Sequence, residues 1–306
     1  MLADPELPPE LRERIELVER VLAFAAELGL HVGGRYRSYA EWPGDRIVTT
    51  VVATRPGEVD PAGYRYPLLG RLPYRGYFDP ALAQAEAERL RERGFDVCLS
   101  AASAYSTLGW FDDPLTGPML RRPAAELVET VLHELVHATV FVPGDARLSE
   151  GLATFVGQEA ARRFAREEGD PRLVAEVEAR IARARALAGV RSRLREAVRE
   201  LYERRPEGRQ REAERRALEE AARAELAAMA LPGVDATDLA RRIRLNDACL
   251  ALAGTYAEDL PRWRARLDAL GGDLRALVEA VRDAADAGRA RELLLGPAPA
   301  DPVTGG

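Results

Sequence analysis

Two of the three histidines in this sequence lie one helical turn apart, with a glutamate between them. They are His133 and His137, and the glutamate is Glu134. Side chains at this spacing on a helix project next to each other. Zinc binds neutral imidazole nitrogens at about 2 Å on neighbouring sides of a tetrahedron, which such a pair supplies with little adjustment. Because histidine is so rare in these 306 residues, the pattern predicts a metal site more strongly than a chance pair of solvated or core histidines.

Two acidic residues complete the predicted chemistry. Glu134 is expected to project toward the same pocket as the histidines, where its carboxylate can take a proton from an attacking water. Glu150 follows at the start of what reads as a second helix and can complete a His/His/Glu site. Glu159, further along that helix, is the alternative third ligand. The pattern therefore predicts zinc-assisted hydrolysis with Glu134 as the general base.

An amphipathic helix must carry the two histidines. Apolar residues recur at helical spacing on its other face, at Leu127, Val128, Val131, Leu132, Leu135, Val136 and Val140. This apolar face predicts burial against the core, which leaves the histidines to face a pocket.

The part of the chain before this helix mixes helix and strand signals. The predicted elements are a helix that follows Pro8-Pro9 and runs through about Leu28, strands over 46–54, 64–69 and 95–100, and a helix that begins at Asp79-Pro80 and ends before Gly94. Residues 72–78 either line a substrate cleft or pack on the sheet. Residues 104–111 are predicted to form an edge strand that a substrate can pair with, the alternative being an ordinary loop.

The part after Glu150 is predicted to be almost entirely helical. Further helices are expected over residues 173–201, 208–229, 236–256 and 273–295, and a disordered tail over 297–306. The first two helices form a long antiparallel arm rich in charge. Such an arm is more often a solvated face than a partner-binding surface, and both interpretations stay open.

Several stretches of the sequence resemble one family. They are Tyr105-Ser106-Thr107-Leu108-Gly109-Trp110-Phe111-Asp112-Asp113-Pro114, the histidine motif, Ser149-Glu150-Gly151-Leu152-Ala153-Thr154-Phe155, Tyr74-Arg75-Gly76-Tyr77-Phe78 and Leu245-Asn246-Asp247-Ala248. Across nearly its whole length, the chain resembles the bacterial putative zinc aminopeptidase family of the gluzincin group. The resemblance implies a zinc metallopeptidase that acts on peptides.

Together, the elements and the resemblance predict an α+β fold with a single zincin-like catalytic domain over residues 1–296. Its α/β half covers residues 1–141 and its helical half residues 142–296, with the metal between them. His133, His137 and Glu150 are the expected zinc ligands.

Substrate selection is less fully indicated by the sequence. The Gly-x-Met-Glu-Asn signature of the aminopeptidase N group is absent. A free α-amino group is a cation that needs a carboxylate, for which Glu159 and Asp247 are the candidates. A zinc endopeptidase or other amide hydrolase, and a non-catalytic interaction protein that keeps its metal, are the alternatives to an aminopeptidase.

A tyrosine hydroxyl is expected to stabilise the negative charge that develops on the substrate carbonyl oxygen. His31 is remote in sequence, and a surface loop is its expected place. Gluzincins commonly use a residue on a helix after the third ligand, which favours Tyr256. Tyr105, on the predicted edge strand, is the alternative, and a packing role remains open for each.

Composition excludes several other functions. With 44 basic and 50 acidic residues the net charge is −6, which argues against a nucleic-acid binder. The chain contains no lysine, so a Walker phosphate loop and Schiff-base catalysis are excluded. With 47% hydrophobic and 31% charged residues, it reads as globular, and no apolar run is long enough to span a membrane. Its oligomeric state cannot be read from the sequence.

Two features bear on the compartment. The first residues lack a basic leader and an apolar core, which predicts a cytoplasmic protein as the chain stands; a periplasmic or lipid-anchored protein is the alternative if a signal was removed. Cys98 and Cys249 lie far apart without metal or redox spacing, and we expect them to be buried free thiols.

Overall fold

The computed structural model describes residues 2, 5–66, 70–102, 112–142, 144–205, 207–257 and 259–296. Helices account for 63% of the chain and strands for 9%, in agreement with the predicted α+β class. The chain divides into two compact units. The first contains Met1–Asp45, Ser103–Val177 and Asp259–Gly306, and the second contains Arg46–Ala102 and Glu178–Glu258. Residue 141, the predicted boundary between two halves, falls inside the first unit.

The elements within the described ranges are as follows. The helices are α1 Pro9–Glu27, α2 Pro80–Glu92, α3 Gly117–Leu120, α4 Ala124–Thr139, α5 Ala146–Glu168, α6 Pro171–Arg204, α7 Arg209–Ala227, α8 Ala236–Arg242, α9 Asp247–Ala257, α10 Leu260–Ala269, α11 Leu274–Asp286 and α12 Ala290–Leu295. The strands are β1 Tyr39–Ala40, β2 Val48–Thr54, β3 Tyr64–Tyr66, β4 Gly70–Leu72, β5 Tyr74–Tyr77, β6 Asp96–Ala102 and β7 Leu115–Thr116.

In the first unit, α4 and α5 pack against each other and α1 packs on both. The apolar face of α4 is buried as its spacing predicts, with Val128, Val131 and Leu135 fully enclosed. The rings of Phe24 and Phe164 meet edge to face at 5.6 Å, which joins α1 to α5. This core surrounds the helix pair that carries the predicted metal ligands.

In the second unit, a three-stranded antiparallel sheet has the order β5-β2-β6. Alternate residues of β2 face opposite sides of the sheet. Val51 and Ala53 join an apolar cluster with α2, whereas Val52 joins one with α9. Strand β5 pairs with β2, and its Tyr74 and Tyr77 pack against these two clusters. The alternative that residues 72–78 line a substrate cleft stays a prediction.

The prediction of two free thiols is wrong. Cys98 of β6 and Cys249 of α9 form a disulfide across 151 residues of sequence, in the buried cluster beneath the sheet. Their distance in sequence hid the pairing, because only the packing of α9 on β6 brings the two sulfur atoms together. The disulfide covalently joins the helix to the sheet.

The prediction of one continuous helix over 236–256 is also wrong. The chain leaves α8 at Ile243 in an extended conformation. Asn246 donates from Nδ2 to the Asp96 carboxylate at 2.8 Å, and Asp96 accepts from the backbone N–H of Ala248 at 3.1 Å. These bonds to a residue about 150 positions away begin α9 as a separate helix.

The last predicted helix, over 273–295, is likewise interrupted. The chain turns between α11 and α12 at Gly288, whose φ is 69°, a left-handed value that suits glycine. An additional helix, α10, precedes them. The predicted tail over 297–306 lies outside the described residues.

The predicted antiparallel arm is present as α6 and α7, and it belongs to the second unit from Glu178 onward. Arg204 pairs with Glu214 near the turn, and Arg193 pairs with Glu225 further from it, as in two antiparallel helices. The apolar faces of both helices are buried together with α8 in one cluster. No helix within the described ranges combines the length and the apolar character needed to cross a bilayer.

Candidate metal centre

The predicted ligands come together on α4 and α5. The Nε2 atoms of His133 and His137 are 3.1 Å apart. The Glu150 Oε2 atom lies 3.5 Å from the first of these nitrogens and 3.3 Å from the second. Within the described part of the chain, these three residues form a group that could hold a metal ion.

The spacing of these three donor atoms suits a tetrahedral ion. Ligand atoms bound at about 2.1 Å with tetrahedral angles are separated by about 3.4 Å, and the three distances here lie between 3.1 and 3.5 Å. Two imidazole nitrogens and one carboxylate oxygen are also a donor set that zinc accepts, with room for a fourth ligand. The residues present therefore fit a zinc ion.

A glycine allows the two ligand helices to approach closely. A Cβ atom at Gly157 of α5 would lie 3.2 Å from both the backbone N and the Cα of His133. Real Cβ contacts are seldom this short, and backbone atoms cannot swing aside as a flexible side chain can. The small residue at position 157 thus sets the distance between α4 and α5 at the level of a ligand.

The ligand cluster contains a carboxylate, Glu150, whose pKa is lowered by its neighbours. Burial alone would raise the pKa of Glu150, but the neighbouring imidazoles of His137 and His133 outweigh it and hold that pKa far below its ordinary value. Burial would lower the pKa of His137, but the Glu150 carboxylate reverses this and raises it. A carboxylate with a lowered pKa stays in the ionised form that binds a metal cation.

Glu134 lies beside this cluster. Its pKa is raised, mainly because burial disfavours the charged form, with Glu150 and Asp113 adding repulsion that the two histidines partly offset. A carboxylate with a raised pKa is a better base and, once protonated, a competent acid near neutral pH. The environment of Glu134 is thus suited to taking up and returning a proton.

Two further residues near Glu134 were missed by sequence analysis. Tyr36 is only 3% exposed and Asp113 only 5%, and both interact electrostatically with Glu134. The Tyr36 backbone N–H donates to the carbonyl oxygen of Asp113 at 2.7 Å. The local signal in the sequence was the pair of glycines at positions 33 and 34. It predicts a turn, but it does not predict that the turn lies near Glu134.

The two predicted oxyanion donors cannot be placed. Tyr105 lies outside the described residues, as does the whole predicted edge strand over 104–111. Tyr256 belongs to the last turn of α9, but its side chain also lies outside the description. His31 lies in an exposed loop, as predicted.

The two candidate amine-binding carboxylates already have cationic partners. Glu159 accepts from Arg162 at 3.0 Å and also pairs with Arg264. Asp247 accepts from the Arg215 Nε atom at 3.0 Å and from the Tyr202 hydroxyl at 2.5 Å. Among the described residues, Glu159 is not part of the ligand group, so Glu150 is the better third ligand.

These observations define an α+β protein with a three-residue site able to hold a metal ion next to a partly buried glutamate. The chain belongs to a family described as putative aminopeptidase, whose model matches residues 1–294. At this level, the family identifies a peptidase, a hydrolase for which the substrate is a peptide. Comparison with curated proteins and with solved structures gave no significant match.

Proposed function

We propose that this chain is a zinc-dependent aminopeptidase with a zincin-like fold of the gluzincin group. The observation that carries the proposal is the set of three donor atoms separated by 3.1–3.5 Å, with the partly buried Glu134 beside them. The family to which the chain belongs supports peptide hydrolysis.

His133, His137 and Glu150 would hold the zinc ion. When bound, zinc supplies Lewis acidity, which polarises the scissile carbonyl and makes a water molecule acidic enough to attack near neutral pH. Glu134 accepts the proton released as that water attacks and then delivers it to the leaving amine. Its raised pKa makes it a better base than an ordinary carboxylate, which favours the first of these steps.

A zinc endopeptidase is the second candidate. It is favoured by the finding that Glu159 and Asp247, the carboxylates considered for binding a substrate amine, are each paired with arginine. An exopeptidase needs a carboxylate to bind the free α-ammonium group of its substrate, whereas an endopeptidase needs no carboxylate for this purpose.

The test measures hydrolysis of fluorogenic aminoacyl substrates and of internally quenched peptides, with and without chelator. We expect the chelator to abolish cleavage and added zinc to restore it. Glu134→Gln keeps the shape of the side chain and removes its basicity, so we expect zinc content to be retained and turnover to fall at least about 100-fold. Glu129→Gln on the same helix is the matched control and is expected to stay active.

The same substrates separate the two candidates. If N-acetylated peptides are cut as fast as their free-amine forms, the protein is an endopeptidase. If the wild type shows no metal-dependent hydrolysis of any peptide, a non-catalytic interaction protein with a retained metal site becomes the better description.

We also propose that the protein works in an oxidising compartment, which is the periplasmic or lipid-anchored alternative raised by its family. The support is the buried Cys98–Cys249 disulfide, because such bonds persist outside the cytoplasm and are rare within it.

A further inference from the structure

The segment from His31 to Tyr36 is fastened to the helix that carries the histidines. The backbone N–H of His31 donates to the Thr139 Oγ1 atom at 2.8 Å, and that hydroxyl donates in turn to the Leu135 carbonyl within α4 at 2.6 Å. On its other side, the Gly34 N–H donates to the Asp112 carboxylate at 3.1 Å. The segment is therefore held from two sides next to the candidate metal centre.

The backbone of Tyr36 is in an unusual conformation. Its φ is 60°, the one positive value outside glycine among the described residues. A bulky side chain is uncommon in this left-handed region, because it strains the backbone there. The hydrogen bond from its N–H to Asp113 and the anchored segment before it hold this conformation. Strain of this kind is often found where a side chain must be placed for function.

The Tyr36 side chain is buried within electrostatic range of Glu134. It is 3% exposed and interacts electrostatically with both Glu134 and Asp113. Burial above all, and then these two acidic groups, raise the pKa of Tyr36 well above its ordinary value, so it keeps its proton. A neutral donor thus stands beside the general base.

We propose that Tyr36 is a further catalytic residue, whose hydroxyl donates a hydrogen bond to the substrate carbonyl oxygen during attack. The inference rests on the proposed function. As the bond from water to the carbonyl carbon forms, the carbonyl π pair moves onto its oxygen and the proton of the water moves to Glu134. Glu134 thereby loses its charge while the oxygen gains one, and the hydroxyl then has its strongest acceptor at that oxygen. Tyr36 keeps its own proton throughout.

The test is Tyr36→Phe, which removes the hydroxyl and keeps the ring. We expect kcat to fall about 100-fold, with KM, zinc content and melting temperature nearly unchanged, because the bond is made mainly in the transition state. Binding of a phosphinic peptide that mimics the tetrahedral state should weaken by a similar factor. A residue with only a packing role would not weaken that inhibitor selectively.

Tyr39→Phe is the matched control, since its hydroxyl bonds to Glu41 rather than facing Glu134. If Tyr36→Phe hydrolyses peptides at the wild-type rate, the inference is overturned while the proposed function stands. If the wild type itself lacks chelator-sensitive hydrolysis, the proposed function has failed instead. If Tyr36→Phe does not fold, 3-fluorotyrosine at position 36 is the second variant, because fluorine makes the hydroxyl more acidic. We then expect kcat and inhibitor affinity to change together. Unchanged values of both would overturn the role of Tyr36.

Discussion

At the scale of single residues, the chain concentrates unusual environments around one point. Glu134 has a raised pKa, Glu150 a lowered one, and Tyr36 a left-handed backbone, all within the first unit. The sequence predicted Glu134 from its place between two histidines at helical spacing, and Glu150 from its place at the start of the next predicted helix. It could not predict Tyr36, because the bonds that hold its segment, from the Tyr36 N–H to Asp113 and from the His31 N–H to Thr139 at the end of α4, leave no periodic signal.

The identity of the third ligand can be tested at this scale. Glu150→Ala removes the carboxylate whose oxygen lies 3.3–3.5 Å from both imidazole nitrogens. We expect zinc affinity to fall more than about 100-fold, since loss of mere outer partners of metal ligands already costs 10–100-fold. Zinc content is measured by metal analysis and affinity by competition with a chelator.

The matched control is Glu159→Ala on the same helix. Its carboxylate pairs with Arg162 and Arg264, so the variant is expected to lose some stability and to keep its zinc. The opposite result, with zinc retained by Glu150→Ala and lost by Glu159→Ala, would exchange the roles of the two glutamates.

At the scale of elements, sequence signals located helix starts better than helix breaks. α2 begins where Asp79 accepts from the Ala81 N–H and Pro80 occupies the first position, as predicted. The break between α8 and α9 was missed because its cause is tertiary, the bonds from Asn246 and Ala248 to Asp96. Strand β2 was found from its β-branched residues, and its two buried faces explain why it shows no polar alternation.

The close approach of α4 and α5 gives a prediction at this scale. Gly157→Ala would place a Cβ 3.2 Å from the backbone of His133, forcing the helices apart by a few tenths of an ångström. Such overpacking costs about 1–3 kcal/mol, more than the roughly 1 kcal/mol that alanine gains over glycine within a helix. We expect a lower melting temperature and zinc binding weakened roughly tenfold, the equivalent of about 1.4 kcal/mol.

Gly151→Ala is the control for Gly157→Ala. Gly151 is the neighbour of the ligand Glu150 in sequence. A Cβ at Gly151 would lie 3.5 Å from the Trp263 Nε1 atom, which is an ordinary contact distance. This variant gains the same helix propensity without the clash, so its stability should be unchanged or raised. Equal zinc affinity in the two variants would show that the spacing of the helices at position 157 does not control the site.

At the scale of the whole molecule, the order of elements in sequence gives little guide to their grouping in space. Each of the two units is assembled from separate stretches of chain. Local patterns identified most elements, but they carry no information about which distant stretch each one joins. The disulfide between Cys98 and Cys249 is the clearest example. It joins cysteines 151 residues apart, and the residues around each cysteine do not predict the pairing.

That disulfide leads to a prediction about the stability of the whole chain. Closing a loop this long restricts the unfolded state, and loss of a native disulfide typically costs about 2–5 kcal/mol. We expect Cys98→Ser and Cys249→Ser each to lower the midpoint of urea unfolding, whereas under reducing conditions the wild type should fall to a similar midpoint. Because each variant removes the same bond, the double variant should be little less stable than either single one.

The oxidation state itself is checked by alkylating the denatured protein and measuring its mass. Protein isolated from its native compartment should contain no free thiol, and two should become available only after reduction. Two alkylated cysteines without a reductant would contradict both the disulfide and the oxidising compartment proposed from it. The thiol count is also needed to interpret the serine variants. If the wild-type protein contains no disulfide, the variants lose no loop closure, and their unchanged stability would not test the effect of the disulfide.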